Sequence, residues 1–339
     1  MLQGSDGNFY GTTYSGGTNF NADGTYGTVF QMTPAGTVTN WSFDFYDGEE
    51  PLAGLVAGSD GNFYGTTEAG GIAQNVNKAG TVFRISPGFN MSVLWNFTGP
   101  AMQPGGLLPK GGLALGQDGN FYGTTYEGGT NGDGTVFLIT PGGSLTNLYS
   151  FSGLDGANPI ADLILGSDGN FYGTTQTGGT NVDTSTGTIF RISPAGNLTT
   201  LHSFDYNDDG GYPNGLVQGS DGNFYGTTDS GGTNGYGTLF RMGLDGSFST
   251  LHTFTGPPGD GQAPQGRLIQ GSDGNFYGAT GAGGSGYNGT VFKLTVPLNP
   301  PPYPVNQITG IQLAGASVVL SVPSVEGETY QLQQSASLA

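Results

Sequence analysis

The chain has 339 residues, of which 67 are glycine, and it contains no cysteine. Its 25 acidic and 7 basic residues give a formal net charge of −18, which excludes the basic surface that nucleic acids and anionic membranes require. The lack of cysteine excludes disulfides and thiolate ligands, and no apolar run reaches the roughly 18 residues of a membrane-spanning helix.

An internal repeat organises the sequence. The string Asp-Gly-Asn-Phe-Tyr-Gly recurs at intervals of 50 to 58 residues and begins at Asp6, Asp60, Asp118, Asp168, Asp221 and Asp273. Each copy is followed by a Gly-Gly pair, a Gly-Thr-Val-Phe type segment, a Pro-Gly type turn and an apolar segment close to Leu-His-Ser-Phe. A fixed period of this length is typical of propellers and solenoids.

Each repeat contains four predicted strands, a to d. Strand a is the short apolar run before the motif, such as Leu216–Val217, and strand b is Asn-Phe-Tyr-Gly-Thr-Thr. Strand c is Gly-Thr-Val-Phe-Arg-Ile or a close variant, and strand d ends in the Leu-His-Ser-Phe segment. These segments are rich in aromatic and β-branched residues. The Asp-Gly pair between strands a and b predicts a type I′ hairpin turn.

Four antiparallel strands in about fifty residues fit one blade of a propeller. We therefore predict an all-β fold, a β-propeller of about six four-stranded blades over residues 1–296. The blades begin near residues 2, 55, 113, 163, 216 and 268. A β-solenoid and a string of separate sandwiches are the alternatives, but a solenoid coil is shorter and a lone unit of this size is marginally stable.

The last repeat has no strand d, so the sixth blade is predicted to be incomplete. Residues upstream of Met1 are one hypothetical source of the missing strand. Residues 297–306 read as a Pro-rich linker, and residues 307–339 as the start of a small β-sandwich module, with Glu326-Gly327 as a turn. About thirty residues cannot bury an adequate core alone.

The recurring GSDGNFYGTT, GGTN, GTVFRISP and LHSF strings resemble the GloVer (Gloeo_Verruco) repeat of bacterial surface proteins, over roughly Leu2 to Leu294. The resemblance implies an extracellular or cell-surface location. A signal peptide and an anchoring segment are not visible in this sequence, which suggests a fragment.

The order of the strands predicts where a binding site lies. The a–b and c–d turns are short and nearly constant, whereas the b–c and d–a loops vary, and variable loops on a rigid scaffold are where binding sites usually lie. The acidic residues of two d–a loops are the candidate ligand-binding residues: Asp44, Asp47, Glu49, Glu50, Asp205, Asp208 and Asp209.

One segment resembles a calcium loop. Asp205, Asn207 and Asp209 alternate before a glycine, as the first oxygen donors of such a loop do, but no glutamate follows at the twelfth position. Solvated polar turns are the alternative reading. The aspartate of each Asp-Gly-Asn motif is read as a turn residue rather than as part of a ring of ligands.

Two further repeat positions invite a catalytic reading. His202 and His252 occupy a strand d position that holds Trp41, Trp95 or Tyr149 elsewhere, which favours packing on an outer strand. The residue after Gly-Thr-x-Phe is predicted to face solvent; it is Gln31, Arg84, Leu138, Arg191, Arg241 or Lys293.

These patterns favour a non-catalytic, monomeric extracellular module that binds a glycan, a cation or a surface protein through its variable loops. The alternatives are a propeller-type polysaccharide hydrolase or lyase and a structural spacer. No cofactor is predicted apart from the calcium candidate, and neither a nucleic acid partner nor a membrane span is expected. Fold alone does not decide between these functions.

Overall fold

The structure is a computed structural model. It describes residues 1–21, 24–71, 79–98, 105–181 and 185–296, and the backbone of three strands within residues 310–335. The chain divides into two compact units: Met1–Gly173 with Arg191–Thr199, and Thr174–Phe190 with Thr200–Ala339. No helix occurs among these described residues.

The first eighteen strands comprise the four four-stranded sheets of the first four blades and one separate pair. Their bounds are β1 Leu2–Gln3, β2 Phe9–Thr13, β3 Phe20–Asn21, β4 Gly24–Thr25, β5 Thr28–Met32, β6 Val38–Ser42, β7 Val56–Ala57, β8 Phe63–Thr67, β9 Thr81–Ile85, β10 Met91–Asn96, β11 Ala114–Leu115, β12 Phe121–Thr125, β13 Thr135–Ile139, β14 Leu145–Ser150, β15 Ile164–Leu165, β16 Phe171–Thr175, β17 Thr188–Ile192 and β18 Leu198–Ser203. The pair β3 and β4 is a small hairpin apart from the sheets.

The fifth and sixth sheets contain the remaining strands. Their bounds are β19 Gly211–Pro213, β20 Val217–Gln218, β21 Phe224–Ser230, β22 Thr238–Met242, β23 Phe248–Thr253, β24 Gly261–Gln270, β25 Phe276–Gly283, β26 Thr290–Thr295, β27 Gly310–Ala314, β28 Ser317–Pro323 and β29 Thr329–Ser335. The sheet order is a-b-c-d in each of the first four blades, beginning with β1-β2-β5-β6. Six such sheets in succession form a six-bladed β-propeller, which confirms the predicted fold class.

The a–b hairpin turn differs from the type I′ prediction. In the third blade the Gly119 N–H bonds to the Gly116 carbonyl, the Gly116 N–H bonds to the Asn120 carbonyl, and Gly119 has a φ of +78°. Asp118 has no positive φ, so this is a type I turn closed by a left-handed glycine. The c–d turn repeats the geometry at Gly143, whose φ is +90°.

The motif aspartate is a turn residue, as predicted. Asp118 Oδ1 accepts the Asn120 backbone N–H at 3.1 Å, and its Oδ2 accepts the Asn120 side-chain amide at 2.7 Å and the Tyr122 hydroxyl at 2.9 Å. The same three bonds form in the other copies, for example around Asp60 and Asp221. Each aspartate therefore fixes its own hairpin and the tyrosine that follows.

That tyrosine joins one blade to the next. Its ring is buried and stacks on the motif phenylalanine of the following repeat, with centroids 4.0 to 4.3 Å apart, in Tyr10–Phe63, Tyr64–Phe121, Tyr122–Phe171 and Tyr225–Phe276. The motif glycine is needed because strand c crosses it closely. A β-carbon on Gly123 would lie 2.6 Å from Phe137. The repeated motif thus builds both the hairpin and the junction between blades.

The Thr-Thr pair ends strand b with hydrogen bonds. The second residue of this pair is threonine in all six repeats, since the sixth has Ala279-Thr280, and it bonds the first threonine of strand c at 2.8 to 2.9 Å, as in Thr125–Thr135. The first threonine reaches the next blade, since Thr66 donates to the Gly111 carbonyl at 2.9 Å. Paired hydroxyls of this kind satisfy buried polar groups that would otherwise be costly.

The position after Gly-Thr-x-Phe is not simply exposed to solvent, contrary to prediction. In register it lies opposite the motif tyrosine, as Arg84 does with Tyr64 and Lys293 with Tyr277. Gln31 donates to the Tyr10 hydroxyl at 2.6 Å, and Lys293 lies 3.2 Å from Asp273. These side chains cover the tyrosine–aspartate pair and are only partly exposed.

In the sixth sheet the place of strand d is taken by β29. This strand pairs antiparallel with β26, from Val291 opposite Ser335 to Thr295 opposite Gln331, and β28 and β27 extend the same sheet. The C-terminal strands therefore continue this blade's sheet. The predicted linker at 297–306 lies outside the described residues, and a separate sandwich module stays a prediction.

Candidate functional site

The start of strand a carries an unusual backbone position in five blades. The residue just before a recurring proline has a left-handed φ of 51° to 58° although it is not glycine, at Glu50, Leu108, Asn158, Tyr212 and Ala263. Left-handed backbone costs about 1 kcal/mol or more for a residue with a β-carbon. Such strain persists only where the surroundings enforce it, and it is typical of functional positions.

Contacts with the preceding repeat enforce this conformation. The Glu50 N–H donates to the Tyr26 carbonyl at 3.1 Å, and the Leu108 N–H donates to the Ala79 carbonyl at 3.0 Å. The proline that follows packs on the glycine that opens strand c, since a β-carbon on Gly80 would lie 2.6 Å from Pro109. The backbone is fixed in every blade while the side chain is free to differ.

A second variable side chain lies opposite the first. Strand pairing places the residue after Thr-Thr across from the left-handed residue, as Glu68 across from Glu50, Tyr126 across from Leu108, and Asp229 across from Tyr212. The Glu68 N–H donates to the Glu50 carbonyl at 3.1 Å, and the Tyr126 N–H donates to the Leu108 carbonyl at 2.9 Å. We call these two side chains the variable pair of a blade.

Side chains at or beside the variable-pair positions of the first three blades form one cluster. Lys110 Nζ lies 3.3 Å from a Glu68 carboxylate oxygen and 3.8 Å from the centre of the Tyr126 ring. Burial, followed by a hydrogen bond to Glu50 and the charges of Glu50, Glu68 and Glu49, raises the pKa of Tyr14. Tyr14 is nevertheless 49% exposed, so its ring is available to a ligand. We call Tyr14, Glu50, Glu68, Lys110 and Tyr126 the blade 1–3 cluster.

Of the acids predicted in the first d–a loop, only Glu50 belongs to this cluster. Glu49 is buried, with its N–H bonded to the Ala69 carbonyl at 2.7 Å. Asp44 Oδ1 accepts the N–H groups of Tyr46 and Asp47 at 2.8 and 3.0 Å. Burial, together with the charge and hydrogen bond of Asp44, raises the pKa of Asp47 to about 6. Asp47 therefore keeps its proton into mildly acidic solution.

A second repeated motif, Asp-Gly-x-x-Pro, closes the d–a loops. Its aspartate binds the polar tip of the aromatic residue in strand d: Asp155 with Tyr149 at 2.5 Å, Asp209 with His202 at 2.8 Å and Asp260 with His252 at 2.9 Å. The same aspartates accept backbone N–H groups of Ser152, Asp205 and Thr255. The histidines of strand d thus pack edge to face on Phe204 and Phe254. Each also binds a loop aspartate, an interaction that the sequence analysis did not predict.

The carboxylate oxygens of the calcium candidate already accept hydrogen bonds from protein groups in and around its loop. Asp205 Oδ1 accepts the Asn207 N–H at 2.9 Å and Oδ2 accepts the Asn181 amide at 2.8 Å, which hold the pKa of Asp205 below its usual range. Asp209 binds His202 and the Asp205 N–H, and Asp208 is exposed. Across the residues that the structure covers, no three acidic, histidine or cysteine side chains are grouped to hold a metal ion.

Within the described ranges, no helix has the length and apolar character needed to cross a membrane.

Comparison with solved structures identifies propellers of low identity. A Lactobacillus plantarum protein is 16% identical with a TM-score of 0.50, covering 98% of this chain and 97% of that one. A polysaccharide lyase of family PL25, an ulvan lyase, is 10% identical with a TM-score of 0.50, covering 94% and 78%.

A third structure is the extracellular domain of a protein described as a hybrid two-component system, BT3049 from B. thetaiotaomicron. It is 12% identical with a TM-score of 0.46, and this chain spans only 40% of its length. At these identities the similarity shows the fold alone. No curated protein matches the sequence. The Gloeobacter/Verrucomicrobia repeat matches residues 1–217 and 183–300. The chain therefore belongs to the Gloeobacter/Verrucomicrobia repeat family.

Proposed function

We propose that the protein is a non-catalytic carbohydrate-binding module whose ligand contacts the blade 1–3 cluster. The observation that carries the proposal is the joining of two partly exposed tyrosine rings, three charged side chains and a strained backbone at one end of three adjacent blades. Binding sites combine a few convergent polar groups with aromatic surface in this manner.

The chemistry of a sugar fits these side chains. A pyranose presents an apolar C–H face, for which a tyrosine ring offers contact area, and hydroxyls, which carboxylates and an ammonium can bind. Tyr14 and Tyr126 supply rings, while Glu50, Glu68 and Lys110 supply acceptors and donors. The carboxylates outnumber the single lysine, which favours neutral over anionic polysaccharide. An extracellular setting, where such polymers occur, is part of this proposal.

The test is a glycan array followed by calorimetry with the strongest neutral ligand. Tyr14→Ala, Tyr126→Ala and Glu68→Gln should each weaken binding by about tenfold or more, the size expected for losing a stacking ring or a charged hydrogen bond. Tyr287→Ala is the matched control, because Tyr287 is 66% exposed in the sixth blade and outside the cluster. Unchanged affinity in the three cluster variants would refute the proposal.

The same samples distinguish binding from catalysis. Prolonged incubation with the bound polysaccharide should leave its chain length unchanged. Shorter products detected by chromatography would favour a hydrolase or lyase, which requires a proton donor and a base beside the scissile bond. Binding only to a surface protein or to a cation, with no glycan response, would favour the other ligands that the sequence leaves open.

A further inference from the structure

The variable pair of the fifth blade contains a carboxylate that has no partner among the described residues. The Asp229 side chain makes no hydrogen bond or ion pair with any residue that the structure describes. It is only partly exposed, and burial alone raises its pKa. Glu68, at the same position in the second blade, is paired with Lys110. An ionised carboxylate held partly out of water is costly unless a donor or cation compensates it.

Two tyrosines lie in the same part of the fifth blade as Asp229. Register places Tyr212 directly opposite Asp229, between the pairs Gly211–Ser230 and Pro213–Thr228. Tyr212 is the left-handed residue of this blade, with φ 57°, and its N–H is fixed to the Thr186 carbonyl at 2.8 Å. The backbone therefore holds the tyrosine at this place whatever its side chain does.

The second ring belongs to Tyr206. Its centre lies 6.5 Å from that of Tyr212, with the two planes at 73°. The ring rests on the backbone of Gly211, where a β-carbon would approach it to 3.1 Å. The glycine thus provides space for the ring. Both tyrosines are partly exposed, so the two rings form a corner open to solvent next to Asp229.

We propose that Tyr206, Tyr212 and Asp229 form a binding site for a primary ammonium group, such as that of an amino sugar or a lysine side chain. An ammonium ion would pair with the free carboxylate and lie against the ring faces, which attract cations. The net charge of −18 raises the local concentration of cations around the molecule. The site shares no residue with the blade 1–3 cluster, so it stands or falls independently of that proposal.

The test is calorimetry or NMR titration of the full chain with three probes. Glucosamine and Nα-acetyl-lysine amide carry the ammonium on a sugar and on an amino acid, and N-acetylglucosamine is the uncharged counterpart of the first. We expect both amines to bind, and N-acetylglucosamine to bind at least about tenfold more weakly. The amine that binds more tightly shows whether the natural ammonium group belongs to an amino sugar or to a lysine side chain. Absence of saturable binding by either amine at millimolar concentration would overturn the proposal.

Variants localise the effect. Asp229→Asn keeps the shape, removes the charge and should weaken amine binding by about tenfold, and Tyr212→Leu should also weaken it. Equal binding by the folded Asp229→Asn protein would overturn the proposal. The sixth blade has Ala263 and Gly281 at the same two positions. Introducing Ala263→Tyr with Gly281→Asp should add a second amine site, since only the flexible Gln265 side chain is close to Gly281.

Discussion

The ring of Tyr122 lies 4.0 Å from the ring of Phe171, with their planes 28° apart, and it joins the third blade to the fourth. The same tyrosine donates its hydroxyl to Asp118, the turn residue of its own hairpin. Burial, followed by the bond to Asp118 and its charge, raises the pKa of Tyr122 to about 12. One side chain therefore links the turn of a blade to the packing of its neighbour.

This dual role makes a prediction about stability. Tyr122→Ala should lower the free energy of unfolding by about 3–5 kcal/mol, as for other buried aromatic residues, because the stacked ring is lost. Tyr122→Phe keeps the ring and should cost only about 0.5–1.5 kcal/mol for the hydroxyl bond. Urea unfolding measures both. Tyr277→Ala is the control at the partly exposed sixth position and should cost less; equal losses at 122 and 277 would refute the role of stacking.

At a left-handed position, substitution by glycine should raise the thermal stability of the protein rather than lower it. Ala263→Gly should raise the melting temperature slightly, because glycine adopts a φ of 51° without strain and only a methyl group is lost. Ala279→Gly is the matched control in an ordinary exposed strand position of the same blade, and it should destabilise by about 0.5–1 kcal/mol. Calorimetry of the two variants should give shifts of opposite sign.

The raised pKa of Asp47 should make the free energy of unfolding depend on pH between about pH 4 and about pH 6. Its pKa is about 6 in the folded protein, so the folded chain keeps a proton that the unfolded chain loses near pH 4. Stability from this group therefore falls as the pH rises through that interval. Asp47→Asn removes the effect and should gain stability relative to the unmodified protein as the pH rises. Urea unfolding of both proteins at several pH values measures this trend, and a difference in stability that does not change with pH would contradict it.

The lowered pKa of Asp260 should make the free energy of unfolding depend on pH in the opposite direction, at lower pH. Burial alone would raise its pKa, but the bonds from His252, Thr255 and Gly261 more than offset this and the pKa lies below its usual value. The stability that this carboxylate contributes is present above about pH 4 and is lost as the pH falls below that. Asp260→Asn should be destabilised at neutral pH, and the deficit should shrink in acid. A deficit that does not change with pH would exclude the ionised carboxylate as its cause.

Calcium binding at Asp205, Asn207 and Asp209 is tested by titration. We expect no heat and no thermal shift at millimolar calcium, because the carboxylates of Asp205 and Asp209 already bind Asn181, Asn207 and His202. A thermal shift that disappears in Asp209→Asn would instead establish the ion site. His202→Phe should not create calcium binding if the loop itself holds the carboxylates.

The sequence predicted the propeller because its signals are local. Aromatic and β-branched segments predict strands, and Asp-Gly pairs predict turns, each from a few neighbouring residues. The fixed period at which these signals recur predicts the number of sheets. Junctions between blades were not predicted. Nothing near Tyr64 in sequence indicates that it meets Phe121, more than fifty residues away. The turn type was wrong because Asp-Gly also fits a type I turn with a left-handed glycine.

The site was predicted only at the level of the loops. Glu50 was nominated for its charge, whereas Tyr14, Glu68, Lys110 and Tyr126 were not, because strand pairing and packing bring them together. Asp-Gly-x-x-Pro was a readable signal that was missed. It recurs at Asp47, Asp155, Asp209 and Asp260 and marks both the loop aspartate and the residue before proline.

The left-handed backbone before each proline allows the side chain at that position to vary between repeats. Main-chain hydrogen bonds hold that residue, so exchanging its side chain leaves the frame intact. Glutamate, leucine, asparagine, tyrosine and alanine already occupy it within one chain. Selectivity can therefore change one blade at a time, and a recombined protein can carry several unrelated specificities on an unaltered scaffold.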